Sequence, residues 1–244
     1  MLLSHVGAVV ALAAFLIGLS KGGLGGGIGP FITILTSLAL PPTVALGLLL
    51  PMLMATDVVA LYALRGSWNR DDLVRLVPPA AVAIFCTSLF LGSLSEDAVR
   101  WFLAAFSLLF VAYRLLGDRL GLTDREAGRT FGVVAGFVSG VTSTAAHAGG
   151  PPVAAYLLAR KIEPLTYAGT SAVFFFVVNW LKVPGYALNG FFDFDLIVEM
   201  IPAATAALPG VFLGRWLVER IDRTQFERLI LFGLVVGAAV LVLK

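Results

Sequence analysis

Two glycine-rich stretches hold the residues most able to do chemistry in this chain. The first is Lys21-Gly-Gly-Leu-Gly-Gly-Gly-Ile-Gly-Pro30. The second, 122 residues further on, is Val141-Thr-Ser-Thr-Ala-Ala-His-Ala-Gly-Gly-Pro-Pro152. Both lie between apolar segments. In a bilayer core, non-helical backbone survives only where it is buried in protein or lines a polar cavity. A broken backbone carrying a lysine or a histidine therefore predicts an ion or substrate site. Each break leads into a helix that opens on proline, Pro30 in one copy and Pro151-Pro152 in the other. Proline suits the first helical turn. Such a helix start gathers free N–H groups and about half a positive charge. Two starts facing one cavity make an anion site.

The candidate substrate-binding residues are Lys21, Gly22, Gly25, Gly26, Gly27, Thr142, Ser143, Thr144, His147, Gly149 and Gly150. The glycines allow close backbone approach, and the three hydroxyls add donors. Lys21 either neutralises the anion or pairs with Asp57. His147 binds the anion, carries a proton, or is a hydrogen-bonded structural residue. Asp57, Asn179 and Lys182 are the candidates for coupling or gating. A carboxylate deep in an apolar run is costly and marks function by default. Asn179 could close a polar contact between helices. Lys182, near the end of its run, is expected to snorkel to the surface. Pro51, Pro78, Pro79, Pro184, Pro202 and Pro209 read as kinks and packing devices.

The elements that must position these residues follow from composition and length. The chain is 59% hydrophobic and 13% charged, against about 25% charge in a soluble domain. It reads as an all-α polytopic membrane protein. Apolar runs fall near 6–20, 30–40, 43–64, 73–94 and 98–116, then 130–146, 151–159, 164–188, 195–218 and 225–243. Five runs match five runs, so residues 1–116 and 130–244 are expected to be two repeats joined by a cytoplasmic linker at 117–129. An offset of 122 places Gly18 over Gly140, Pro30 over Pro152, Gly47 over Gly169, Asp57 over Asn179 and Gly92 over Gly214. The second run of each set is too short to cross: 11 residues span about 16 Å of helix, against roughly 30 Å of hydrocarbon. The first two runs of each half are therefore expected to form re-entrant hairpins meeting near the midplane.

Charge supplies the sidedness. The segments with Arg65, Arg70 and Arg75, with Arg114, Arg119, Arg125 and Arg129, with Arg160 and Lys161, and with Arg215, Arg220, Arg223 and Arg228 are expected inside. Those with Glu96-Asp97 and Asp193–Asp195 are expected outside, as are both termini. Corresponding loops then fall on opposite sides, which predicts inverted topology. The first twenty residues lack the basic start of a signal segment and read as a retained helix. Cys86 is the only cysteine, excluding an intrachain disulfide. In an apolar run it reads as a buried, inert thiol.

Other classes find little support. The glycine run lacks the Gly-Lys-Ser/Thr ending of a phosphate-binding loop. Two histidines, His5 and His147, make no metal cluster, and no cofactor or metal is expected. Ser143 and His147 are weak grounds for a triad, so no enzyme is expected. A net charge of +2 without a basic aromatic patch gives no sign of nucleic-acid binding. The expected partners are a small anion and the lipid bilayer, and a homodimer is compatible with the sequence.

These motifs resemble those of the TauE/SafE family of membrane permeases. The resemblance is carried by Gly18-Leu-Ser-Lys-Gly-Gly-Leu-Gly-Gly-Gly27, Gly136-Phe-Val-Ser-Gly140, Ala146-His-Ala-Gly-Gly-Pro-Pro152, Gly169-Thr-Ser-Ala-Val-Phe-Phe175 and Asn179-Trp-Leu-Lys-Val-Pro184. It implies an inner-membrane, multi-pass exporter of sulfite or a short organosulfonate such as sulfoacetate. Alternating access at a midplane site is the expected mechanism. Many members keep a triple glycine in both tips, whereas the second tip here reads Ala145-Ala-His-Ala-Gly-Gly150. Another small anion, a channel, and a membrane-embedded enzyme or sensor are the alternatives.

Overall fold

The structure is a computed structural model that describes residues 2–25, 29–37, 39–91 and 128–243, with Trp101, Ala105, Leu108 and Leu116. Gly26, Gly27, Gly92, most of the fifth run of the first half and nearly all of the linker lie outside the described residues.

The regular elements among the described residues are helices. Helix α1 (Leu2–Leu19) passes without a stop into a wide π turn, Ser20–Leu24, which ends at Gly25 with φ +60°. Only a residue without Cβ takes that left-handed turn freely. Helix α2 (Gly29–Ser37) follows, then α3 (Pro42–Ala63) and α4 (Arg70–Leu89). The second half comprises α5 (Arg129–Ala146), α6 (Gly150–Ala159), α7 (Pro164–Leu188), the short α8 (Phe194–Glu199) and α9 (Ile201–Ala204), α10 (Ala207–Val218) and α11 (Arg223–Leu243).

Local chemistry explains the starts. Prolines open α3, α6 and α7. Asn69 caps α4 by accepting from Asp72 N–H at 3.2 Å, and Asp193 caps α8 by accepting from Leu196 N–H at 3.0 Å.

Among the described residues, five helical stretches are long and apolar enough to cross a membrane: Val6–Leu24, Thr43–Ala63, Arg70–Leu89, Pro164–Leu188 and Ile201–Val218. Helices α2 and α6, with 9 and 10 residues, reach only about 14–15 Å. The shortness expected of the second run therefore holds in both halves. It does not extend to α1, whose stretch is long enough to span.

Helices α3 and α7 run antiparallel through the centre. A Cβ on Gly47, near the start of α3, would strike the carbonyl of Phe191, just past the end of α7. Reciprocally, a Cβ on Gly169, near the start of α7, would strike the carbonyl of Ser67, just past the end of α3. The basic segments collect at one end of the molecule. Arg160 pairs with Asp72, and Arg215 Nη1 donates to the Ala63 carbonyl. The opposite end joins Asn189 to the Ser88 carbonyl at 3.2 Å.

Each hairpin's first arm packs on the other half. Helix α1 lies along α10, and α5 along α4. Glycines set both seams: Gly18 and Gly22 meet the backbone of Ala207 and Val211, while Gly136 and Gly140 meet that of Leu76 and Ala80. Lipid tails are as apolar as leucine, so close van der Waals approach through small residues holds such helices together. The outer faces are apolar, with Phe85, Tyr62 and Leu188 exposed.

Cys86 corrects an expectation, since it is exposed on α4. An apolar run on a membrane helix faces protein on one side and lipid on the other, and apolarity alone does not separate the two.

Candidate functional site

The centre of the molecule is where α3 and α7 cross. Asn179 Nδ2 donates to Asp57 Oδ2 at 2.6 Å, and these two residues are 122 positions apart. Lys21 Nζ, brought in by the π turn, lies 2.6 Å from Asp57 Oδ1 and 4.5 Å from the Phe175 ring centroid. Asp57 is 0% exposed and Lys21 4%. Of the two roles weighed for Lys21, the structure contains the pairing with Asp57.

Lys182 does not snorkel. It is fully buried and turns inward to the second hairpin. Its Nζ lies 3.1 Å from Ser143 Oγ, 3.3 Å from the Ser143 carbonyl and 2.9 Å from His147 Nδ1. His147 sits in the left-handed turn that ends α5, at φ 52°. Its Nε2 is 3.0 Å from the Leu46 carbonyl. A carbonyl only accepts, so Nε2 carries the proton and Nδ1 accepts from Lys182. The three neighbours of Nζ match the three N–H groups of an ammonium. All of them are neutral, and among the described residues no carboxylate pairs with Lys182.

The same offset of 122 places Lys21 over Ser143 and Gly25 over His147. The Lys21–Asp57 ion pair thus corresponds to the neutral Ser143 and Asn179. Lys182, one turn beyond Asn179, reaches Ser143 in its place. Gly25 and His147 both take left-handed turns against the other half, Gly25 beside Tyr167 and Ser171, His147 beside Leu46.

The tips meet. Gly29, at the start of α2, lies against the His147 carbonyl, and Thr33 Oγ1 donates to the Ala146 carbonyl at 2.9 Å. Between them is a cavity of about 30 Å³ lined by Ser20, Lys21, Gly29, Ser143, His147 and Lys182, with Asn179 and an apolar wall that includes Phe175. That is space for about two waters. Ser20 is 2% exposed, and its hydroxyl has no hydrogen-bond partner among the described residues.

The remaining candidates divide. Gly22 packs α1 on α10, and a Cβ on Gly149 would meet Ser139 and Ser143. Ser139 Oγ donates to the Gly149 carbonyl at 2.8 Å. Gly150 is buried as the first residue of α6. Thr142 and Thr144 donate to their own helix, at the carbonyls of Val138 (2.9 Å) and Gly140 (2.8 Å). Ser143 alone of the three turns its hydroxyl to the cluster. Ser20 and Phe175 were not singled out from sequence, although both lie inside quoted motifs. A second charged cluster was also missed: buried Asp72 accepts from Tyr156 Oη at 2.7 Å and from Arg160 Nε at 2.9 Å, fastening α4 to α6.

These features define the class, an all-α polytopic membrane protein with two broken-helix tips closing on a buried, charged cavity. The chain belongs to the sulfite exporter TauE/SafE family, whose model matches residues 10–241. Membership makes it a membrane transporter of the sulfite and organosulfonate exporter type. No curated protein and no solved structure matches the chain.

Proposed function

We propose that the protein is a multi-pass inner-membrane exporter of sulfite or a short organosulfonate, working by alternating access at the cavity between the two hairpin tips. The observation that carries this reading is Lys182: a buried lysine that, among the described residues, faces only neutral groups on the wall of a cavity. A buried charge without a partner is expensive, and a bound anion supplies the partner. The start of α2, at Gly29 on the cavity wall, adds its partial positive charge at the same place. With room for about two waters, the cavity suits a compact oxyanion head and requires opening for anything larger.

Inverted symmetry fits the alternation. The reciprocal contacts of Gly47 and Gly169, and the meeting of Asp57 with Asn179, support a two-fold axis in the membrane plane. Each hairpin leans on the fourth helix of the other half, so rocking one half against the other moves the tips past a fixed centre. The basic end, with Arg160 and Arg215, is the cytoplasmic one.

The test is uptake into proteoliposomes of a panel of sulfur anions, with and without a pH gradient. Sulfite or a short sulfonate is expected to accumulate, and Lys182→Met to abolish that accumulation while leaving the protein in the membrane. Uptake unaffected by Lys182→Met would move the site elsewhere.

A further inference from the structure

Among the described residues the site groups two lysines, Lys21 and Lys182, with one carboxylate, Asp57, and His147 keeps its proton toward the Leu46 carbonyl while its other nitrogen accepts from Lys182. With Lys182 protonated, one positive charge is left over in this buried space. It resides on Lys182, because Asp57 lies against Lys21 at 2.6 Å and its other oxygen takes Asn179. Nothing else charged is among the described residues lining the cavity. Ser20 presents a buried hydroxyl without a partner on the same wall, a donor for one ligand oxygen.

We propose that this site selects anions of a single charge, with Lys182 as the residue that sets the valence and the Lys21–Asp57 pair as an internally neutral wall. The inference rests on the anion-transport reading above and narrows its substrate class. A second negative charge would enter without a cation to meet it, and buried uncompensated charge is costly. The preferred forms are therefore hydrogensulfite over sulfite, and sulfonates with no second acidic group. Sulfoacetate, which adds a carboxylate to its sulfonate, brings one charge too many.

The experiment uses two tetrahedral probes of similar size, methanesulfonate with one charge and methylphosphonate at a pH where it carries two. Their binding to the purified full chain is compared, with sulfite as a reference. The wild type is expected to prefer methanesulfonate by about tenfold or more, given the cost of an unmatched buried charge. Asp57→Asn raises the surplus by one charge and should shift the preference toward methylphosphonate. Adding Lys21→Met to Asp57→Asn restores the surplus to one and should return the preference to methanesulfonate, and this double variant also decides the matter if Asp57→Asn alone fails to fold. Equal or tighter binding of doubly charged methylphosphonate by the wild type would overturn the valence rule while leaving anion transport standing. Failure to bind all three anions would overturn the transport reading, and this inference with it.

Discussion

Lys21, on the first hairpin, meets a carboxylate, Asp57 of α3, whereas the second hairpin meets Lys182 of α7 with neutral groups only among the described residues. Burial differs in the same way. Every residue of α6 from Gly150 to Leu158 is buried, and its far end is fastened to α4 through Tyr156, Arg160 and Asp72. Helix α2 is only partly buried at Gly29, Thr33 and Ser37, and the hydroxyls of Thr36 and Ser37 bond back to their own helix. One hairpin is thus a charge-neutral and lightly held arm. The other is a buried, fastened wall against which Lys182 of α7 rests. The comparison teaches that positions 122 residues apart can share a backbone design while differing in charge and in burial.

The strongest way to break this comparison is at the ion pair. Asp57→Ala leaves Lys21 buried without a partner and should cost about 3–5 kcal/mol, read as a fall in thermal stability in detergent. Adding Lys21→Met should recover most of it. If Lys21 were instead a direct ligand, the double variant would be stable but unable to bind anion.

A smaller effect is expected at the glycine seams, where the halves should behave alike. Gly22→Ala presses on the Val211 backbone and Gly136→Ala on the Leu76 backbone. Each overpacks a helix pair that has no flexible atom to yield, for about 1–3 kcal/mol. A loss in one seam and none in the other, by thermal unfolding, would show that the hairpins are not equivalent in packing.

The smallest effect concerns motion. Hydrogen exchange should protect the amides of α6 more than those of α2, since sparse burial marks the segments that open first. Equal protection would erase the distinction between arm and wall.

The short helices were legible in the sequence, because prolines and a run length below the bilayer thickness are local properties. The Lys21–Asp57 pair was legible as one of two choices, since a buried lysine and a buried carboxylate both need a partner. The inward turn of Lys182 was not. Its place along the run pointed to the surface, but its partners Ser143 and His147 come from the second hairpin, and linear position says nothing of what a neighbouring helix offers. The glycines misled in part for a similar reason. Glycine permits approach to a ligand or to another helix with equal ease, and Gly22 and Gly136 spend that freedom on α10 and α4. Asp72 was not singled out, because its burial depends on Tyr156 and Arg160, more than 80 residues away.

The hydrogen bond between Asp57 and Asn179 has a consequence for how such a molecule could arise. Under the two-fold relation proposed above, a residue on the axis touches its own counterpart. In a dimer of identical half-length chains those two positions must carry the same side chain. Two carboxylates there would repel, since like charges sharing a site disfavour ionisation, and two amides would leave Lys21 with no anion to meet. A lone acid at the axis requires halves of different sequence, and this polypeptide carries Asp57 in one and Asn179 in the other. Unlike halves permit an odd number of charges at the point where symmetry would otherwise demand an even one.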